Sequence, residues 1–139
     1  MSFRFTVAIP PTGKARPRMT RSGHVYTPQK TVDAERRIAY AFQAQGGRLI
    51  PKEHAVGLEV TAYFPIPKSF PQKKREAASY REIFPTKKPD ADNILKLVAD
   101  ALNGVAYDDD AQIVRMEISK EYTDCVDGYM EIEIFGGDI

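Results

Sequence analysis

The sequence predicts an α+β fold (mixed α/β), a four-stranded sheet with helices packed on it. Two-residue alternation recurs in four long segments, and 3.6-residue periodicity recurs in the segments between them. At 139 residues, with 42% hydrophobic and 28% charged side chains, the chain has the length and balance of one globular domain spanning 1–139.

Phe3, Phe5, Val7 and Ile9 alternate with Arg4, Thr6 and Ala8, a half-buried strand that ends at Pro10-Pro11. Residues 12–23 hold Gly13, Pro17 and Gly23 among basic residues and read as a loop, with a short strand over 24–27. Thr27-Pro28 has the form of a cap followed by proline in the first turn. The helix it starts carries Ala34, Ile38, Ala41 and Phe42, and Gly46-Gly47 stops it. Val56, Leu58, Val60, Ala62 and Phe64 form a second strand. Residues 65–89 contain five prolines and one short helix near 72–80. A stronger helix covers 93–103, stopped by Gly104. Two further strands carry Val114, Met116 and Ile118, then Met130, Ile132 and Ile134, with Asp127-Gly128 in the turn between them.

The net charge of +1 hides a segregation of sign. Residues 1–32 carry six basic side chains and no acidic one, and residues 67–89 carry seven basic and two acidic ones. Residues 90–139 carry three basic and thirteen acidic ones. Basic surfaces and an acidic centre therefore have separate tasks, unless both are merely solvated faces. The single cysteine, Cys125, excludes an internal disulfide and fits a reducing compartment. No window is apolar enough for a signal peptide or a membrane span, so the expected location is the cytoplasm.

The acidic segment opens with Lys88-Pro89-Asp90-Ala91-Asp92-Asn93, directly before the stronger helix. If Asp90 to Asp92 are extended, both carboxylates point the same way, and their repulsion calls for a cation with a preference for oxygen ligands. In helical phase, Ile94, Val98, Ala101, Leu102 and Val105 form one apolar stripe. Asp92 and Lys96 share the opposite strip, which places Lys96 beside the carboxylates. If the strand after Asp108-Asp109-Asp110 pairs near the helix start, one of these aspartates completes the site. The structural alternatives are a helix cap at Asp92, a surface pair with Lys96 and a solvated aspartate turn. An EF-hand fails because Ile94 and Leu95 stand where a polar ligand and a glycine belong. A phosphatase with paired aspartates fails for want of an apolar strand before Asp90.

Taken jointly, Asp90-Ala91-Asp92-Asn93-Ile94-Leu95-Lys96, Ala99-Asp100-Ala101-Leu102 and Asp109-Asp110-Ala111-Gln112-Ile113-Val114 resemble the RusA family of Holliday-junction resolvases. Gly13-Lys14-Ala15-Arg16-Pro17-Arg18 with Gly23-His24-Val25-Tyr26-Thr27-Pro28 resembles its prophage branch. The resemblance implies metal-binding, catalytic aspartates at Asp90, Asp92 and Asp110, a catalytic lysine at Lys96, and no firm role for Asp109. It implies a homodimer that hydrolyses phosphodiesters in branched DNA with Mg2+ (Mn2+ as an alternative), in recombination and repair. Lys14, Arg16, Arg18 and Arg21 on the first basic loop, and Lys73, Lys74, Arg75, Lys87 and Lys88 on the second, are the expected DNA-binding residues. Phe70, Tyr80 and Phe84 either stack on unpaired bases or anchor their loop. The competing functions are a less selective flap or fork nuclease of phage type and a branched-DNA-binding protein without catalysis.

Overall fold

The computed structural model describes residues 1–137. Four strands, β1 (Ser2–Val7), β4 (Ala55–Pro65), β5 (Ile113–Thr123) and β6 (Tyr129–Gly137), form a mixed sheet in the order β1-β6-β4-β5. A separate two-stranded hairpin, β2 (Arg18–Met19) with β3 (Val25–Tyr26), rises from the first basic segment. Three helices complete the fold: α1 (Gln29–Ala44), α2 (Gln72–Ser79) and α3 (Ala91–Leu102). Among the described residues, no helix is long and apolar enough to cross a membrane.

The alternation read in the sequence becomes a two-layer structure. Phe5 and Val7 of β1, Leu58, Val60, Ala62 and Phe64 of β4, and Met130, Ile132 and Ile134 of β6 are all buried. They pack in one cluster with Ile38 and Phe42 of α1 and Ile94, Val98 and Leu102 of α3. At about 25 cal/mol per Å² of apolar surface removed from water, this face supplies the main folding drive. Residues of opposite parity, including Arg4, Glu59, Glu117 and Glu133, face outward, and Arg4 donates to Glu133 at 2.9 Å.

Three details depart from expectation. The first basic loop is partly ordered, since Arg18 and Met19 pair with Tyr26 and Val25. Helix α1 begins at Gln29 with Pro28 in the cap position and no side-chain cap, so Thr27 does not cap it. The largest departure concerns β5 and β6. The turn at Asp127-Gly128 predicted neighbours, yet β4 lies between them, antiparallel to β6 and parallel to β5. Parallel pairing needs a long crossover, and residues 66–112 with α2 and α3 provide it. Gly128 has φ +73°, and a Cβ there would stand 2.4 Å from the Tyr63 carbonyl oxygen, so the crossing loop requires glycine.

Candidate active site

Helix α3 carries its apolar residues inward: Ile94, Leu97, Val98, Ala101 and Leu102 are buried. The opposite strip, Asp92, Lys96 and Asp100, repeats every four residues, with Asp92 and Lys96 exposed and Asp100 half-buried. Asp90 occupies the N-cap position in extended backbone (φ −69°, ψ 149°), but its side chain makes no capping hydrogen bond. Its backbone carbonyl closes the first turn by accepting from Ile94 N–H at 3.1 Å. Asp92 therefore lies inside the helix and not in an extended dipeptide with Asp90. Neither carboxylate caps α3, and both sit where the helix dipole favours negative charge.

Lys96 Nζ pairs with Asp100 Oδ2 at 3.5 Å, the next turn along, instead of with Asp92. The same oxygen receives Lys14 Nζ at 3.1 Å, and Lys14 also donates to Glu35 Oε2 at 2.8 Å. Burial alone would lower the Lys14 pKa, but the two carboxylates outweigh it and hold the ammonium above its ordinary value. The backbone N–H of Lys14 donates to the Asn93 carbonyl at 3.0 Å, so the first basic loop is strapped to the start of α3. Gly13 permits that approach. A Cβ there would lie 3.0 Å from Pro89 Cβ and 3.2 Å from Asn93 Cβ.

The aspartate run lies at the other end of α3. Asp110 N–H donates to Asn103 Oδ1 at 3.1 Å, just beyond the last helical turn. Asp109 holds the following turn of 3-10 helix (Asp110–Gln112): its Oδ1 accepts from Ala111 N–H, and its own N–H donates to Gln112 Oε1 at 2.9 Å. The Gln112 amide in turn donates to the carbonyls of Pro51 and His54 at 2.9 and 3.0 Å. Asp109 is thus a positioning residue for the turn, and Asp110 is exposed. The hydrogen bond with Asp109, some desolvation and the charges of Asp109 and Asp100 raise the Asp110 carboxyl pKa, while Lys96 opposes the rise. Tyr107 donates to the Ala99 carbonyl, and burial together with the charges of Asp110 and Asp100 pushes its phenol well up.

The donor set of Asp90, Asp92 and Asp110 is all carboxylate, the chemistry that Mg2+ prefers. Like-charge crowding at Asp110 is the condition a bound cation relieves. Among the described residues, however, no three His, Cys, Asp or Glu side chains of one chain come together closely enough to hold a metal. Asp110 is within electrostatic reach of Asp100 and Lys96 on α3.

Basic residues flank the start of α3 on both sides. Arg16, Arg18 and Arg21 are exposed, and Arg18 joins Lys88, Asp90 and Asn93 around a groove of about 420 Å³. A larger groove of about 540 Å³ between β1 and α1 is lined by no carboxylate. Lys73, Lys87 and Lys88 are exposed. Arg75 differs, being half-buried and donating to the Pro67 carbonyl at 2.9 Å, and Lys74 lies 4.2 Å over the Phe70 ring. Phe70 packs edge-on against Tyr122 and anchors its segment, whereas Tyr80 and Phe84 are 76% and 52% exposed. The three aromatics thus divide between anchoring and open surface.

A family model described as Endodeoxyribonuclease RusA matches residues 8–134, nearly the whole chain and every candidate site residue named above. The chain belongs to the RusA endodeoxyribonuclease family. It is also similar to the uncharacterized protein YqaN of Bacillus subtilis (strain 168), with 38% identity over 128 residues covering 88% of this chain and 89% of that one.

In this RusA-family chain, sequence reasoning missed Asp100, which joins Lys96 to Lys14. The signal was available in the four-residue step from Asp92 through Lys96 to Asp100. Asn103, which holds the Asp110 backbone, left no such signal because its partner lies seven residues away across a turn.

Proposed function

We propose that this protein is a Mg2+-dependent, structure-selective endonuclease that resolves four-way DNA junctions as a homodimer, in recombination and repair. The observation that carries the reading is the solvent strip of α3. Asp90, Asp92 and Lys96 are exposed along one side of α3, with the Asp90 carboxylate making no capping hydrogen bond, in a chain of an endodeoxyribonuclease family.

Asp90, Asp92 and Asp110 would hold the metal, which when bound polarises the phosphoryl oxygen and lowers the pKa of the attacking water. Lys96, steered by Asp100, would place positive charge beside the phosphorane-like transition state. Because the acidic centre repels phosphate, Arg16, Arg18, Arg21, Lys73, Lys87 and Lys88 would bind the strands that flank the cut. Lys14 and Arg75 support that surface from beneath, since both are engaged in internal bonds. Two opposed strands must be cut in a four-way junction, and two copies related by a twofold axis meet that geometry.

The test incubates the protein with labelled four-way junction, flap and linear duplex, in Mg2+ or in EDTA. Paired symmetric nicks on the junction, lost in EDTA, are the expected result. Equal cutting of all three substrates removes the junction selectivity and favours a flap or fork nuclease. Binding without metal-dependent cutting removes the enzyme reading altogether.

A further inference from the structure

The groove of about 420 Å³ beside the start of α3 is built differently from the open basic surface around it. Its half-buried lining includes Pro11, Ala15, Pro28 and Pro89, which is apolar and conformationally stiff. Arg18, Lys30, Lys88 and Asn93 stand exposed around the same space. Apolar walls with a few polar groups are the general form of a small-ligand site, and the volume lies within the roughly 300–1,000 Å³ of such sites.

Internal bonds hold the walls in place. Lys14 N–H donates to the Asn93 carbonyl at 3.0 Å, and Ala15 N–H donates to the buried Thr31 hydroxyl at 3.3 Å. The segment is thereby tied to both α3 and α1. The cations around the groove are not tied. Among the described residues, Arg18, Lys30 and Lys88 pair with no carboxylate, whereas Lys14 is engaged by Glu35 and Asp100. The first turn of α1 brings no acidic side chain, and Asp90 is the one carboxylate among the described residues that line the space. The side-chain amide of Asn93 makes no hydrogen bond among the described residues, so it is open to a ligand.

We propose that this groove takes a single nucleotide, unstacked from the DNA at the branch point, next to the phosphate that is cut. Its phosphate lies among Arg18, Lys30 and Lys88, three cations with no competing partner. Its base lies between the proline rings, since apolar side chains can replace the neighbours a base loses on leaving its stack. The Asn93 amide, with a donor and an acceptor, reads the base edge. A duplex is too wide for such a groove, so only a displaced nucleotide enters it. Unstacking costs least where pairing is already disturbed, as at a branch point, and the groove therefore favours branched over linear DNA. Lys30 thus joins the DNA-contacting residues, and the groove becomes a determinant of structure and base preference. The position next to the cut rests on the reading of Asp90 as a metal ligand; the nucleotide pocket stands without it.

The fluorescence of 2-aminopurine, which rises when the base leaves its stack, tests the pocket directly. The analogue is walked one position at a time through a four-way junction saturated with the protein in EDTA, so that no cutting intervenes. A severalfold rise is expected at one position of each equivalent strand, and linear duplex of the same sequence should give none. Ala15→Leu adds bulk to the wall and Lys30→Glu turns the phosphate away. Each should abolish the rise while the junction stays bound. Asn93→Ala should keep the rise and flatten the dependence of affinity on which base stands at that position. No rise anywhere, an equal rise throughout the arms, or a rise that survives both Ala15→Leu and Lys30→Glu overturns the proposal. Circular dichroism checks the fold of each variant. Cutting is scored separately in Mg2+. A rise in a protein that cuts no substrate keeps the pocket and removes the nuclease reading. Junction cutting with no rise keeps the nuclease reading and removes the pocket.

Discussion

Replacing Lys14 with methionine removes the ammonium and keeps a straight apolar stem of similar length. In the folded chain that ammonium bridges Glu35 at 2.8 Å and Asp100 at 3.1 Å, with all three side chains largely shielded from water. A hydrogen bond to a charged group contributes about 1.5–3 kcal/mol. Partial exposure reduces each bond, so the two together amount to roughly 2–3 kcal/mol. For a chain of this size about 3 °C of melting temperature accompanies each kcal/mol, giving a fall of roughly 6–9 °C. Arg16→Ala, two residues away on the same loop, removes an exposed side chain and should shift stability by less than about 0.5 kcal/mol. The sign with pH follows from the raised Lys14 pKa. Its contribution is fully present below the ordinary lysine value of 10.5 and is lost as pH rises through the higher folded value. Urea melts of both variants at pH 7 and pH 11 make the comparison. A Lys14→Met protein as stable as wild type at pH 7, or a difference no smaller at pH 11 than at pH 7, would show that the ion network does not hold the loop.

Asp90→Asn or Asp110→Asn should abolish cleavage and leave junction binding equal or tighter, because a charge facing phosphate is removed; wild-type turnover in a single-turnover assay by either variant counts against the metal site. Joint reversal of Arg16 and Arg18 to glutamate should weaken junction binding and lower the slope of log affinity against log salt by about 1 per lost phosphate contact, read by fluorescence anisotropy. Unchanged binding would move the DNA surface elsewhere. Gly128→Ala should cost roughly 2–4 kcal/mol, since it combines a strained φ with a Cβ driven against the Tyr63 carbonyl; a variant that melts within a degree of wild type would show that the crossing loop gives way freely.

The sequence by itself determined the elements and the chemistry they carry. Burial of one face imposes a period of 2 on β1, β4 and β6 and of 3.6 on α3, and such periods are local. For the same reason the exposure of Lys96 was legible from its phase against Ile94, Val98 and Leu102. Charge segregation likewise needs no coordinates. Tertiary structure alone decided which strands are neighbours, because a strand's pattern tells which face is buried and not which edge is joined. So β5 and β6 flank β4 instead of forming a hairpin, and β5 is left at an edge of the sheet. It also decided the use of individual charges. Lys14 and Arg16 are alike in the sequence, but Lys14 is drawn in by Glu35 and Asp100 while Arg16 stays in water. Asp109 and Asp110 are neighbours, yet one holds a turn and the other projects beside the far end of α3. Each of these assignments depends on partners many residues away, and long-range pairing is what a local period does not encode.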